Sequence, residues 1–187
     1  MTETRSFDQM VLDAMVLRDG GLADWLLILP IGICFVFAAV LLMMRRQMAW
    51  HPPVAVVGLS LLLVNAVALL VTVATRGPIS MAMGGWRPPF GVSFTADLTS
   101  ALFLTVSAFV GLACGIYAVA SIDSEERRYG FYPFLFIMIA GVCGSFLTGD
   151  IFNLYVWFEV MLIGSFGLLI LGSEREQLDG ATKYCFL

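Results

Sequence analysis

The sequence predicts an all-α membrane protein, a bundle of five transmembrane helices plus the start of a sixth, with its N-terminus outside. Three observations carry this. Of 187 residues, 60% are hydrophobic and 13% charged, and the mean hydropathy is +0.93, where soluble domains run near 25% charged and about 45–50% apolar. Five apolar runs approach the roughly 20 residues a helix needs to cross a bilayer. Arginine and lysine gather in alternate loops. Such a composition excludes a soluble enzyme and a disulfide-stapled secreted domain. A net charge of −4 and a pI near 4.8 give no basic stripe for nucleic acid.

Residues 1–24 form an extracytoplasmic segment. Glu3, Asp8, Asp13, Asp19 and Asp24 outweigh Arg5 and Arg18, the reverse of the basic start of a cleavable signal, so this segment stays attached. Phe7, Met10, Val11 and Ala14 fall at helical spacing and suit a short amphipathic helix on the membrane surface; a frayed tail is the alternative. Residues 25–75 carry the first two spans. The first runs from Trp25 to Met44 and stops at Arg45-Arg46; the second follows Pro52-Pro53, from Val54 to Thr75, with Asn65 inside it. Asn65 is expected to hydrogen-bond across helices.

The 76–96 loop lies outside and is rich in Gly and Pro, which break helices and favour turns. Gly84-Gly85 could head a small hairpin, placing Trp86 and Phe90 at headgroup level. Residues 97–171 hold spans three to five: Leu98–Ala120, Phe131–Thr148 and Ile151–Leu171. Only Gly149-Asp150 separates the last two, so they are antiparallel neighbours. Gly111 and Gly115 form a GxxxG in the third span, a signal of close helix contact. Residues 172–187 are a cytoplasmic loop and the start of a truncated sixth helix from Ala181. Seven residues of helix cover about 10 Å, so the chain reads as a piece of a longer protein, with a re-entrant or surface tail as the alternative. For orientation, Arg45, Arg46, Arg127, Arg128, Arg175 and Lys183 lie on one side, and Arg5, Arg18, Arg76 and Arg87 on the other. The first set marks the cytoplasm.

Glu159 is the residue that points to chemistry. It falls near mid-membrane in the fifth span, where an ionised side chain costs about 2.5–3.5 kcal/mol on insertion scales. Its neighbours three, four and seven positions away are apolar or aromatic, and the Tyr155 hydroxyl is their hydrogen-bonding group. Water-free surroundings favour the protonated carboxyl. An ammonium 4 Å away favours the ionised form by about 4 kcal/mol at an effective dielectric of 20. A lysine that approaches and retreats therefore makes Glu159 a proton switch. No Lys or Arg lies inside the five spans, so that cation must come from beyond Leu187 or from another subunit. The bland alternative is a protonated acid hydrogen-bonded between helices.

Asp150 and Asp97 open the fifth and third helices and suit N-caps; Asp150 is also a candidate for proton entry from outside. His51, beside the arginine pair, is read as an interfacial residue, with a proton relay as the alternative. Lys183, at the start of the sixth helix, is with Tyr155 a candidate for a secondary proton path; the alternative is that it snorkels to the interface, about half a bilayer from Glu159. Cys34, Cys114, Cys143 and Cys185 match no metal-ligand spacing and read as free thiols in lipid or at helix contacts. No cofactor and no metal site are expected.

The run from Phe146 to Leu171 (FLTGDIFNLYVWFEVMLIGSFGLLIL) resembles the fourth-to-fifth helix signature of the D subunit of multisubunit Mrp-type cation/proton antiporters. These are relatives of the antiporter-like subunits of respiratory complex I and of membrane-bound hydrogenases. Gly84–Leu102 (GGWRPPFGVSFTADLTSAL) and Ala181-Thr-Lys-Tyr184 extend the resemblance over residues 80–187. It implies that Glu159 matches a fifth-helix glutamate paired with a seventh-helix lysine in proton transfer, and that Lys183 matches a sixth-helix lysine. Family members continue into further helices, arranged as inverted repeats with broken helices, so this chain alone is not expected to translocate ions. The resemblance implies a multi-pass protein of a bacterial or archaeal cytoplasmic membrane. Its partners would be other membrane subunits, protons, monovalent cations such as Na+, and the lipid bilayer, with no nucleic acid.

Three readings follow. The chain is part of a secondary-transport subunit exchanging protons for a monovalent cation; or of a proton-pumping subunit of an NADH:quinone oxidoreductase or hydrogenase; or it is a short scaffold subunit without transport. None of the three makes this chain itself an enzyme with a redox centre.

Overall fold

A computed structural model describes residues 22–83, 91–122, 130–171 and 175–186, without the side chains of 22–24, 176, 185 and 186. Six α-helices and one two-stranded sheet appear in it: α1 (Leu22–Met43), α2 (His51–Arg76), β1 (Ile79–Ala82), β2 (Ser93–Ala96), α3 (Leu98–Ser121), α4 (Phe131–Leu147), α5 (Ile151–Leu169) and α6 (Arg175–Phe186). Four helices, α1, α2, α3 and α5, are long and apolar enough to cross a membrane; α4 is apolar but shorter, at 17 residues, or about 26 Å. The surface helix expected near Phe7–Ala14 lies outside the described residues, as do Gly84-Gly85, Trp86 and Phe90.

Two boundaries differ from the sequence expectation. Helix α2 does not wait for the two prolines but begins at His51 with Pro52 and Pro53 in its first turn, where a missing N–H costs nothing because those donors have no helical acceptor. Helix α6 starts at Arg175 rather than Ala181, inside the stretch read as a polar loop. That stretch is helical because its polar residues pair locally: Lys183 bonds Asp179 at 2.7 Å and the Thr182 hydroxyl donates to the Leu178 carbonyl. Lys183 thereby sits in the last turn of α6, not its first.

Helix α4 is the hub. It packs on α1, α3 and α5, while α2 fills the remaining side against α1 and α3. In lipid, helices do not associate by hiding from water; close van der Waals approach through small residues does the work. Here Gly141 and Gly144 of α4 face Met161 and Trp157 of α5, and Gly164 and Gly167 of α5 face Met138 and Phe134 of α4. A Cβ on Gly141 or Gly164 would lie 2.5 Å from the facing backbone nitrogen. The GxxxG of α3 also makes close contacts, Gly111 with Ile139 and Gly115 with Leu59. Leu27, Leu41, Leu59, Leu62, Leu104 and Phe136 fill the centre.

Strands β1 and β2 pair antiparallel, Ile79 opposite Ala96 and Ala82 opposite Ser93. This hairpin docks on the link between α4 and α5: the Gly149 N–H donates to the Ser93 carbonyl at 2.7 Å, and Phe94 bridges to Thr148. The loop between α2 and α3 is thus tied to the start of α5.

Candidate functional site

Glu159 is the ninth of nineteen residues in α5. Gly164, five residues on, is turned about 140° from it, and Gly164 is seated against α4. The Glu159 carboxyl therefore projects from the face of α5 turned away from α4. That face also carries Phe152, Tyr155 and Ile163, which are 71%, 62% and 60% exposed, whereas Glu159 itself is half-buried. The Tyr155 phenol, one turn earlier, lies beside the Glu159 carboxyl. Among the described residues no cation pairs with Glu159.

Asp150 caps α5, accepting from the Asn153 N–H at 2.7 Å through Oδ1. Its other oxygen, Oδ2, accepts from the Ser93 N–H of β2 at 3.1 Å. One carboxylate thus closes the helix end and pins the hairpin. The sequence offered the cap but not the second partner, because Ser93 is 57 residues away. Asp97 caps α3 in a reciprocal box: the Ser100 N–H donates to Asp97 Oδ1 at 2.7 Å and the Asp97 N–H donates to Ser100 Oγ at 2.9 Å. The Ser100 N–H and hydroxyl hold the Asp97 carboxyl below its ordinary value.

Lys183 is not paired with Glu159. Tyr184 meets Ser165 across α5 and α6, hydroxyl to hydroxyl at 3.3 Å, which sets that part of α6 six residues, about 9 Å, along α5 from Glu159. The Lys183 ammonium is taken by Asp179 on an exposed surface. His51 is buried at the start of α2, its Nε2 3.2 Å from the Met44 carbonyl oxygen. The hydrogen bond expected of Asn65 is not made: it is buried with Oδ1 unpartnered. The contact between α2 and α3 runs instead from the Thr105 hydroxyl to the Ala66 carbonyl at 3.3 Å, since the peptide oxygen next door is within reach and the amide is not. Cys34 and Cys143 are buried and meet across α1 and α4, and Cys114 is exposed. Among the described residues no group of three or more His, Cys, Asp or Glu could hold a metal ion.

Two buried polar groups escaped the sequence reading. Asn153 and Trp157, one turn apart on the sealed side of α5, keep Nδ2 and Nε1 without partners. The Trp157 ring lies between Phe35 of α1 and Phe94 of β2, with centroids 6.4 and 6.2 Å away. A tryptophan within an apolar run gives no sequence signal that would separate it from a lipid-facing ring.

No family model matches the chain. The D subunit of the Na(+)/H(+) antiporter of Alkalihalophilus pseudofirmus is 40% identical over 162 residues, 85% of this chain and 32% of that protein. Its counterpart from Bacillus subtilis is 35% identical over 157 residues, 84% of this chain and 32% of that protein. Among solved structures, a chain of the Mrp complex from a Dietzia species overlaps with a TM-score of 0.71 at 33% identity, covering 77% of this chain and 27% of that one. A chain of the membrane-bound sulfane sulfur reductase, an archaeal respiratory membrane complex, overlaps with a TM-score of 0.81 at 26% identity, covering 86% and 33%. The chain is therefore homologous to antiporter D subunits over most of its own length, and spans about a third of theirs.

Proposed function

We propose, taking this homology to the D subunits of Na(+)/H(+) antiporters as the premise, that the chain is part of the proton-translocating subunit of a multisubunit monovalent cation/proton antiporter. Glu159 is the group that takes up and releases the proton. The observation that carries this reading is the placement of Glu159: among the described residues it is the acidic side chain in the middle of a membrane-spanning helix, and it is half-buried on a face that α4 does not cover. An acid at that depth is costly unless it is used or paired. The open face leaves room for a helix carrying the lysine whose approach ionises Glu159 and whose retreat reprotonates it. Tyr155 stays beside the carboxyl in either state. Asp150, Asp97 and Lys183 take secondary roles, Asp150 at the outer mouth of the same helix. In this reading the five helices α1 to α5 span a bacterial cytoplasmic membrane, with the N-terminus outside and other membrane subunits as partners.

The test is Glu159→Gln in the complete protein within its complex, assayed by cation-driven proton movement in everted membrane vesicles. The amide keeps the shape and cannot carry a proton reversibly, so coupled exchange is lost while assembly is retained. Unimpaired exchange would overturn the assignment.

A second reading draws on the overlap with the respiratory complex, whose TM-score exceeds that of the Mrp chain. There the same glutamate would serve a redox-driven proton pump. The higher sequence identity to the antiporter subunits favours the first.

A further inference from the structure

We propose that the groove between α1, α4 and α5 is a site for one anionic phospholipid, with an acyl chain in the groove and its phosphate at Arg45 and Arg46. The groove encloses about 330 Å³, and its lining includes Phe35, Ala38, Ala39 and Leu42 of α1, Ile137 of α4 and Ile163 of α5. It exists because two alanines separate Phe35 from Leu42 along α1, leaving a floor with no side chain to fill it. Its walls are hydrocarbon, which suits an acyl chain and offers nothing to a polar ligand.

What distinguishes this groove from an ordinary lipid-facing surface is its end. Phe35 to Met43 covers about 12 Å of helix, close to the depth of one leaflet, half of the roughly 30 Å hydrocarbon core. Arg45 and Arg46 follow at once, both exposed and neither in an ion pair among the described residues. Phe37 stacks on Phe136 with centroids 5.7 Å apart, and the two helices run antiparallel. Seven residues forward from Phe37 and six back from Phe136 bring Met44 level with Gly130, the start of α4. The guanidinium pair therefore lies at the level where α4 begins. A further apolar helix could fill the groove but would itself bring no anion to the two guanidinium groups, which are unpaired among the described residues. A lipid with a net negative headgroup satisfies both ends, because arginine and phosphate match in charge and geometry.

The complete protein, purified in detergent, is titrated with dioleoyl phosphatidylglycerol, dioleoyl phosphatidylcholine or inorganic phosphate, reading retained lipid by native mass spectrometry and stability by thermal melting. One phosphatidylglycerol should be retained at least tenfold more tightly than phosphatidylcholine. The double variant Arg45→Gln/Arg46→Gln should weaken its retention by roughly 30-fold, from about 1 kcal/mol per basic residue, whereas Arg45→Lys/Arg46→Lys keeps most of the preference. Ala39→Phe should fill the floor and release the lipid without altering the arginines. Equal retention of the two lipids, a glutamine double variant that still prefers phosphatidylglycerol, or stabilisation by inorganic phosphate alone would each overturn the proposal. So would lipid retained unchanged by Ala39→Phe, or no lipid retained at all.

Discussion

The two sides of α5 are built on opposite principles. Toward α4 it alternates glycine with bulk: Gly164 and Gly167 let Met138 and Phe134 approach, while Gly141 and Gly144 receive Met161 and Trp157. On the other side stand Phe152, Tyr155, Glu159 and Ile163, large or charged, with Glu159 half-buried and the other three exposed. Shape holds the first side, because helix association in lipid depends on close packing. In the proposed function chemistry marks the second, because a carboxyl in hydrocarbon is tolerated where it has a task. Changes to one side should then alter folding, and changes to the other should alter transport, with little crossover.

The sharpest break is the pair Glu159→Gln and Gly164→Leu. Glu159→Gln should remove coupled exchange entirely while the complex melts within about 0.5 kcal/mol of the parent, the usual range for substitutions away from packed contacts. Gly164→Leu should do the reverse in cause: its Cβ would meet the Met138 backbone at 2.5 Å, so α4 and α5 must separate. Overpacking costs typically about 1–3 kcal/mol and more where backbone is hit. Detergent melting and the yield of assembled complex measure it. A Gly164→Leu protein that folds normally would show that α4 and α5 do not pack as described.

Asp150 tests the seam between the two sides. Removing it as Asp150→Ala deprives the Asn153 and Ser93 N–H groups of their acceptors, and loss of a cap alone costs about 0.5–2 kcal/mol. Asp150→Asn keeps one acceptor oxygen and should cost about half as much. Exchange should persist in both, at a reduced rate, provided the protein is assayed below its melting temperature. Abolished exchange with unchanged melting would move Asp150 from holding the helix end to carrying the proton.

How far the sequence could be read follows the same division. The apolar runs located α1 to α5 within a few residues, because length and hydrophobicity alone fix a spanning helix. The caps at Asp97 and Asp150 were visible because a cap is local. The hairpin latch was not, since Ser93 and Asp150 are 57 residues apart with two helices, α3 and α4, between them. The seal of α4 on α5 also went unread. Gly141, Gly144, Gly164 and Gly167 stand three apart within each helix, and only the facing partner shows that the gaps are filled. Asn65 failed for a related reason: a mid-span amide implies a partner, but which group lies opposite depends on helix rotation.

The smallest expected effect belongs to Lys183. Sequence position made it a candidate, and the structure sets it on an exposed turn of α6, bonded to Asp179, with side chains 71% and 70% exposed. Such i,i+4 pairs contribute about 0.3–0.5 kcal/mol at most, and salt weakens them further. Lys183→Gln should therefore leave melting almost unchanged. Its effect on exchange separates two possibilities that geometry poses directly. If α6 stays on the interface beside Ser165, with Lys183 about 9 Å from the level of Glu159, exchange in Lys183→Gln should stay within about twofold of the parent, and its pH profile should be unmoved. If the ammonium leaves Asp179 to influence Glu159, the variant should shift the pH at which exchange is half-maximal, and Asp179→Asn should shift it in the opposite sense by freeing the lysine. Only the second outcome would extend the working face of α5 onto α6.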